Sequence, residues 1–282
     1  MFSPRFPATV NGLCLLAWTS GLLAQTLAPA GTSEPPSKAA RTLHPWEAAM
    51  PRLTAEAYFT NLKNGDSIET PYLLKFGLSG GWGLAPITKV ARSKSGHHHL
   101  LVNRELPLDF KQALPFNDQY IHFGKGQMET VLTLPPGTYT LRMLLANDKH
   151  LPHFVYSKPT TVTVTRKTGV EPKSLVKKGL SIGLEAPELK PPFRVQFHAS
   201  ALNVAHLAQQ EKDTGHFKLQ VIPKSGAKAA EMDFVDGQSE VWLAPPAGDY
   251  TLKLEFVDNL NPDKALTEAV SVPVKVVPYA GT

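Results

Sequence analysis

The sequence of 282 residues has a single cysteine, Cys14. That excludes a disulfide framework and any metal site built on several thiolates. Charge is sparse, with 19% Asp, Glu, Lys and Arg. Lys and Arg are scattered, so the net charge of +5 lacks the clustered footprint of a nucleic-acid binder. No apolar run reaches the ~20 residues that a membrane-spanning helix needs. Long helical patterns are missing too, because 25 prolines and 20 glycines punctuate the chain and favour short strands joined by turns. Apolar residues are plentiful at 42%, a globular composition. The length suits two domains of ordinary size.

Residues 1–24 have the pattern of an export signal. Arg5 precedes the apolar stretch Val10–Ala24, and small residues follow at Ala24, Ala28 and Ala30. An uncleaved N-terminal anchor is the alternative. Cys14 lies within this segment behind Leu13, where lipid attachment would want a small residue, so the exported chain is expected to carry no thiol and no transmembrane segment. Residues 25–54, broken by Pro29, Pro35, Pro36, Pro45 and Pro51, are expected to be a flexible linker.

The remainder repeats itself. Gly126-Gln127 is followed by Glu129, Leu132, Pro135, Gly137, Tyr139, Thr140 and Leu141. One hundred and eleven positions later stand Gly237-Gln238, then Glu240, Leu243, Pro246, Gly248, Tyr250, Thr251 and Leu252. Upstream, Gly96–Val102 matches Gly215–Val221. A unit of about a hundred residues is a domain duplication, not a solenoid. The expected divisions are 55–167, a linker over 168–178, and 179–278. In the first unit, strands are expected near Glu56–Leu62, Tyr72–Leu78, Ile87–Ala91, His97–Val102, Tyr120–Phe123, Glu129–Leu134, Tyr139–Ala146 and Thr160–Thr165. Seven or eight short strands of this kind fit an all-β, immunoglobulin-like sandwich, and Tyr139 and Tyr250 stand where a tyrosine corner would. A jelly roll or barrel is the alternative.

Six of the ten histidines fall in the first unit: His97, His98, His99, His122, His150 and His153. Their counterparts are His216, Phe217, Lys218, Asp233, Asn261 and Lys264. What both units share is scaffold; what the first alone has is a candidate for chemistry. Strand parity separates the three consecutive imidazoles. Phe217, Leu219 and Val221 must face a core, so by transfer His98, Leu100 and Val102 face inward. His97 and His99 then share the outer face, ~6.5–7 Å apart along the strand, a spacing that lets two imidazoles hold one ion. Leu101 lies on that face too, as an apolar neighbour. Sandwich topology carries the Gly124–Gln127 turn and the Asn147–Phe154 loop to the same rim, so His97, His99, His122, His150 and His153 are expected to converge there. Asp148 could orient a ligand's second nitrogen or cap a turn. Imidazoles without thiolate favour copper or zinc over calcium or magnesium. Histidines making ordinary hydrogen bonds, or a pH-sensing cluster, are the competing explanations.

The strings Gly96–Val102, Ile121–Gln127 and Asp148–His153 resemble those of a family of exported bacterial domains classed only as of unknown function. The resemblance covers roughly 57–165, with 179–278 as a degenerate second copy. It implies a bacterial envelope location, periplasmic or secreted, and no established activity. Three functions follow as expectations. One is a copper or zinc carrier, buffer or sensor. Another is an adhesive or scaffolding module whose partner is another envelope protein. The third is a metal-dependent redox enzyme. The His-x-His strand resembles copper/zinc superoxide dismutase in outline, but that family's bridging ligand and disulfide are missing here.

Overall fold

The alternation of apolar and polar residues becomes short strands in a computed structural model, which describes residues 43–49, 55–87, 93–107 and 109–278. The segment expected to be an export signal lies outside the described residues, as does most of the strand expected at Ile87–Ala91. The first repeat contains β1 (Ala57–Phe59), β2 (Ser67–Thr70), β3 (Tyr72–Leu78), β4 (Gly83–Leu84), β5 (Ser95–Val102), β6 (Tyr120–Phe123), β7 (Glu129–Leu132), β8 (Gly137–Ala146), β9 (Pro152–Tyr156) and β10 (Thr160–Lys167). The second contains β11 (Gly179–Gly183), β12 (Glu188–Leu189), β13 (Phe193–Ser200), β14 (Asn203–Val204), β15 (Thr214–Pro223), β16 (Ala230–Asp233), β17 (Glu240–Leu243), β18 (Gly248–Asp258) and β19 (Val270–Val276).

Each repeat is a two-sheet sandwich. In the first, one sheet runs β1-β3-β7 and the other β2-β10-β8-β5-β4, with β6 beside β5 and β9 beside β8. In the second, the sheets run β11-β13-β17 and β12-β19-β18-β15-β14, with β16 beside β15. Strand for strand the order is the same, except that the pairing of β9 is reduced in the second repeat to the single bridge Val257–Ala265. This is the immunoglobulin-like arrangement expected from the repeat. Between the sheets of the first repeat, Leu74, Phe76 and Leu78 meet Leu100, Leu141, Met143, Leu145 and Val162, all fully buried. Each such side chain contributes about 1.5–3 kcal/mol by leaving water. Both tyrosine corners form: Tyr139 donates its hydroxyl hydrogen to the Pro135 carbonyl at 2.9 Å and Tyr250 to Pro246 at 2.8 Å.

The repeats hold each other reciprocally, within one compact unit, Thr42–Thr282. The Val204 N–H donates to the Gly126 carbonyl and the Leu84 N–H to the Gly237 carbonyl, both at 2.9 Å. Gly126 and Gly237 are the shared Gly-Gln turns. Both have left-handed backbone, with φ of 89° and 79°. A side chain on Gly126 would start 2.1 Å from the Val204 oxygen, and one on Gly237 2.5 Å from the Leu84 oxygen. The recurring Glu129 and Glu240 also cross over. Glu129 accepts from Ser200 at 2.6 Å, from the Ala201 N–H at 3.1 Å, and meets His198 Nε2 at 2.9 Å. Glu240 accepts from the Tyr58 hydroxyl at 2.9 Å.

Part of the expected flexible linker is held in place. Within 25–54, residues 43–49 dock on the second repeat: the Ala48 N–H donates to the Trp242 carbonyl at 2.9 Å, and the Trp46 carbonyl accepts from the Ala244 N–H at 2.8 Å. The Trp46 ring packs edge-on to Tyr250 at 5.8 Å. An aromatic side chain seated on the sandwich outweighs the chain freedom that prolines and small residues suggest. Within 168–178, Pro172–Leu175 form one turn of 3-10 helix.

Candidate metal centre

Three pieces of backbone meet at the rim of the first sandwich. In β5, His97 and His99 lie on one face. His99 stands directly opposite His122 of β6, and His97 opposite Ala146 at the end of β8. The chain then turns toward β9 and carries His150. That turn is built by Asn147. Its side-chain oxygen accepts from the N–H groups of Lys149 at 2.9 Å and Leu151 at 3.0 Å, and its carbonyl from the His150 N–H at 2.9 Å. Asn147 thus does the capping considered for Asp148. His150 is held at a φ of 59°, a left-handed conformation that costs a non-glycine residue about 1–2 kcal/mol. Its carbonyl accepts from the Leu114 N–H at 2.9 Å, which ties the turn to the loop before β6.

The result is a cluster of four imidazoles. His97, His99, His122 and His150 each place a ring nitrogen within 4.8 Å of the others'. The Nε2 atoms of His97 and His99 are 2.9 Å apart. His122 crosses His97 edge-on at 4.7 Å between ring centres, and His150 crosses His122 at 4.9 Å. Buried ring nitrogens without a hydrogen-bond partner remain on all four, among them Nε2 of His122 and Nδ1 of His150.

The outer face is covered, contrary to the expectation that His97 and His99 face out. Both are fully buried. Leu101, Leu114, Leu144 and Ala146 form a second apolar cluster on that side, with Leu106, Phe110, Tyr120 and Tyr156 packed against it. Leu114 and Phe116 come from the long loop between β5 and β6, which folds back over the sheet. Phe116, itself 63% exposed, meets His150 edge-on at 4.6 Å and His122 at 5.3 Å between ring centres. Burial, followed by mutual repulsion of the rings, pushes the pKa of His97 down to about 2 and that of His99 to about 3. Burial also lowers those of His122 and His150. The rings are therefore neutral near pH 7, the protonation state a metal ligand requires.

His98 and His153 stand apart from the four. His98 points into the core against Phe76, with ring centres 4.9 Å apart, as parity predicted. Burial lowers its pKa to about 4. His153 was expected at the convergence. It lies instead against Trp82, 4.7 Å between ring centres, and outside the group of four. The physical reason is β9: the strand begins at Pro152, so His153 follows the hairpin along the sheet rather than turning over the rim.

One contributor carries no ligand. A side chain on Gly124 would begin 2.3 Å from Cε1 of His122, so the absent Cβ is what gives this ring its place. The second repeat has Val235 at that position, beside the shorter Asp233. The contrast between His122-Phe123-Gly124 and Asp233-Phe234-Val235 is the sequence signal that could have revealed it. Beside His122 opens a groove of about 530 Å³, bordered by Phe116, Tyr120, Ile121 and the β7 segment Thr130–Pro135.

The donor set fits a borderline divalent ion: four neutral imidazoles from three backbone segments, with no carboxylate among them. Nitrogens that share one ion at ordinary metal–nitrogen distances lie about 3–4 Å apart, so the four rings, all within 4.8 Å of one another, need to draw together by no more than about 1–2 Å. Among the described residues no helix is long and apolar enough to cross a membrane.

No curated protein matches the chain. Among solved structures, it is similar to the fibronectin(III)-like modules of Clostridium thermocellum CbhA at 12% identity, covering 79% of this chain and 94% of that one, with a TM-score of 0.25. It is also similar to a two-domain fibronectin type-III segment of chicken tenascin at 14% identity, covering 78% and 97%, with a TM-score of 0.24. For the FN1-FN3 domains of chicken CNTN1 the identity is 10%, the coverage 76% and 66%, and the TM-score 0.22. The model of a family described as a domain of unknown function (DUF4399) matches residues 74–165 and again 195–276, more than half of the sequence, and the protein belongs to that family, in two copies.

Proposed function

We propose that this protein is a metal-binding module of the bacterial envelope. It holds one copper or zinc ion on His97, His99, His122 and His150, and acts as a carrier, buffer or sensor of that ion. The observation that carries this reading is the gathering of the four rings within 4.8 Å at a rim where the second, equally folded repeat has none of the last three. An envelope location is supported by the export-signal pattern of residues 1–24 and by the absence of cysteine beyond them. His153 takes no part as a ligand; it packs on Trp82.

The test is calorimetric titration of the full chain with Cu(II) and with Zn(II), beside the His97→Ala/His99→Ala double variant. Binding of one ion by the parent and its loss in the variant is the expected result. Equal affinity in the two proteins would sink the reading. A scaffolding role without metal would then take its place, since the second repeat shows this fold with an ion pair at the equivalent rim.

A further inference from the structure

The same sheet edge is closed in one repeat and open in the other. β17 ends its sheet, and residues 43–49 lie antiparallel along it, with Glu47 opposite Leu243. The Ala48 N–H reaches the Trp242 carbonyl, and the Ala244 N–H the Trp46 carbonyl. β7 ends the corresponding sheet of the first repeat. It pairs with β3 in the register that β17 keeps with β13, Leu132 opposite Tyr72 and Leu243 opposite Phe193. The Val131 carbonyl and the Thr133 N–H therefore point outward as their counterparts do, with no strand beyond them among the described residues.

The side chains record the same difference. Tyr250 and Pro245 are buried, with the Trp46 ring edge-on to Tyr250 at 5.8 Å. Tyr139 and Leu134, at the same places, are only half-buried. Between Glu129 and Pro135 the edge carries no charge and no proline, the devices that ordinarily keep a free edge from pairing. Beside it lies the groove of about 530 Å³, whose other wall includes Phe116, Tyr120, Ile121 and His122. Three of those four belong to β6, which among the strands pairs only with β5. The groove thus has an edge strand of each sheet in its walls.

We infer that this groove is a docking site for an extended strand of a partner protein, added antiparallel to β7, with a large aromatic side chain seated on Leu134 and Tyr139. The occupant's chemistry is read from the segment that fills the equivalent edge. One residue faces Leu132 as Glu47 faces Leu243, and the aromatic residue just before it takes the place of Trp46. In such additions main-chain hydrogen bonds supply affinity and side-chain pockets supply selectivity. The chain's own 43–49 segment is engaged at β17 and leaves this place to another molecule. An occupant here borders His122, beside the proposed ion site, but the docking itself does not depend on an ion.

The probe is a synthetic peptide of residues 43–49, blocked at both ends and added to the metal-free, isotope-labelled full chain. Amide NMR signals should move in β6 and in residues 130–134, while those of β17 stay fixed. Thr133→Pro removes the outward N–H at an edge position, where proline is tolerated. It should weaken the peptide by roughly fivefold or more, the worth of one hydrogen bond, and leave the melting midpoint within a few degrees. The shift map on the parent chain decides even if that variant fails to fold. A peptide carrying Trp46→Ala should lose about tenfold or more. Shifts confined to β17, or none at millimolar peptide, would overturn the inference, as would undiminished binding by a folded Thr133→Pro. The same shifts arising without peptide as the chain is concentrated would also overturn it, since a second copy would then fill the groove.

Discussion

At the rim of the first repeat stand His97, His99 and His122; at the same places in the second stand His216, Lys218 and Asp233. The first set is neutral and leaves ring nitrogens without partners. The second is closed. Lys218 Nζ lies 3.5 Å from one Asp233 oxygen, and His216 Nε2 lies 3.1 Å from the other. On its far side the His216 ring meets the Asn259 side-chain oxygen at 2.6 Å, while Asn259 donates to the carbonyls of His206 and Gln209. An ammonium and a carboxylate thus satisfy one another where the first repeat presents only donors to a cation. A buried polar group without a partner costs about 1–3 kcal/mol. The first repeat gathers several such ring nitrogens at one rim, where the second keeps the fold with an ion pair instead. The scaffold therefore does not require this cluster.

The comparison can be broken most forcefully by exchange. Converting His99→Lys and His122→Asp should give the first rim the second's ion pair. Copper affinity should fall by more than about 100-fold, since even residues that only support metal ligands are typically worth 10–100-fold. The thermal midpoint of the metal-free protein should stay within a few degrees. Calorimetry and a melting curve together check this; undiminished copper binding would separate the cluster from the metal.

The reciprocal lock predicts the next largest effect. Gly126→Ala and Gly237→Ala each place a Cβ against a carbonyl of the other repeat, at a φ that alanine resists. Each should cost about 3 kcal/mol of unfolding free energy in denaturant titrations. A marked loss in only one of the two would show that the lock is not symmetric.

Gly124→Ala is a narrower probe. It should displace the His122 ring and weaken copper about tenfold, while changing the stability of the metal-free chain little. Val235→Ala, its counterpart, should leave copper binding untouched.

The smallest effects concern the two equivalent glutamates. Burial raises the pKa of Glu129, but the hydrogen bonds from His198, Ser200 and the Ala201 N–H prevail and hold it below 4.5. Its stabilising contribution is therefore present above pH 4.5 and lost as pH falls through the depressed value. Burial dominates at Glu240, helped by Glu56, and raises its pKa above 4.5 despite Tyr58 and Arg194. Ionising Glu240 costs stability as pH rises through that window. At pH 7 Glu129→Gln should destabilise by about 1–2 kcal/mol, and Glu240→Gln should be neutral or slightly stabilising. Denaturant midpoints from pH 3 to 7 check both signs.

Much of this architecture was legible in the residues. The offset of 111 positions announced the duplication, the Pro-Gly-x-Tyr string announced the corners, and parity in β5 separated His98 from its neighbours. Three features were hidden for physical reasons. Leu114, which packs on Leu101 and Leu144, and Phe116, which meets His122 and His150, lie in a loop without strand periodicity, so nothing local marks it as lying on the sheet. The strand β9 has no strand signal because Pro152 opens it, and His153 lies within it. The contact between repeats is made by two main-chain hydrogen bonds at the glycine turns and by side chains, such as Glu129 with Ser200 and Tyr58 with Glu240, that lie far apart in the sequence and share no local pattern.

That last feature explains how the copies could diverge. The second half holds the first through the glycine turns and through side chains such as Ser200 and Glu240, while Lys218 and Asp233 of its own rim pair with one another. Substitution at its rim therefore does not disturb what its neighbour needs from it. A duplicated chain joined in this way can vary the residues of one rim without loosening the joint between its halves.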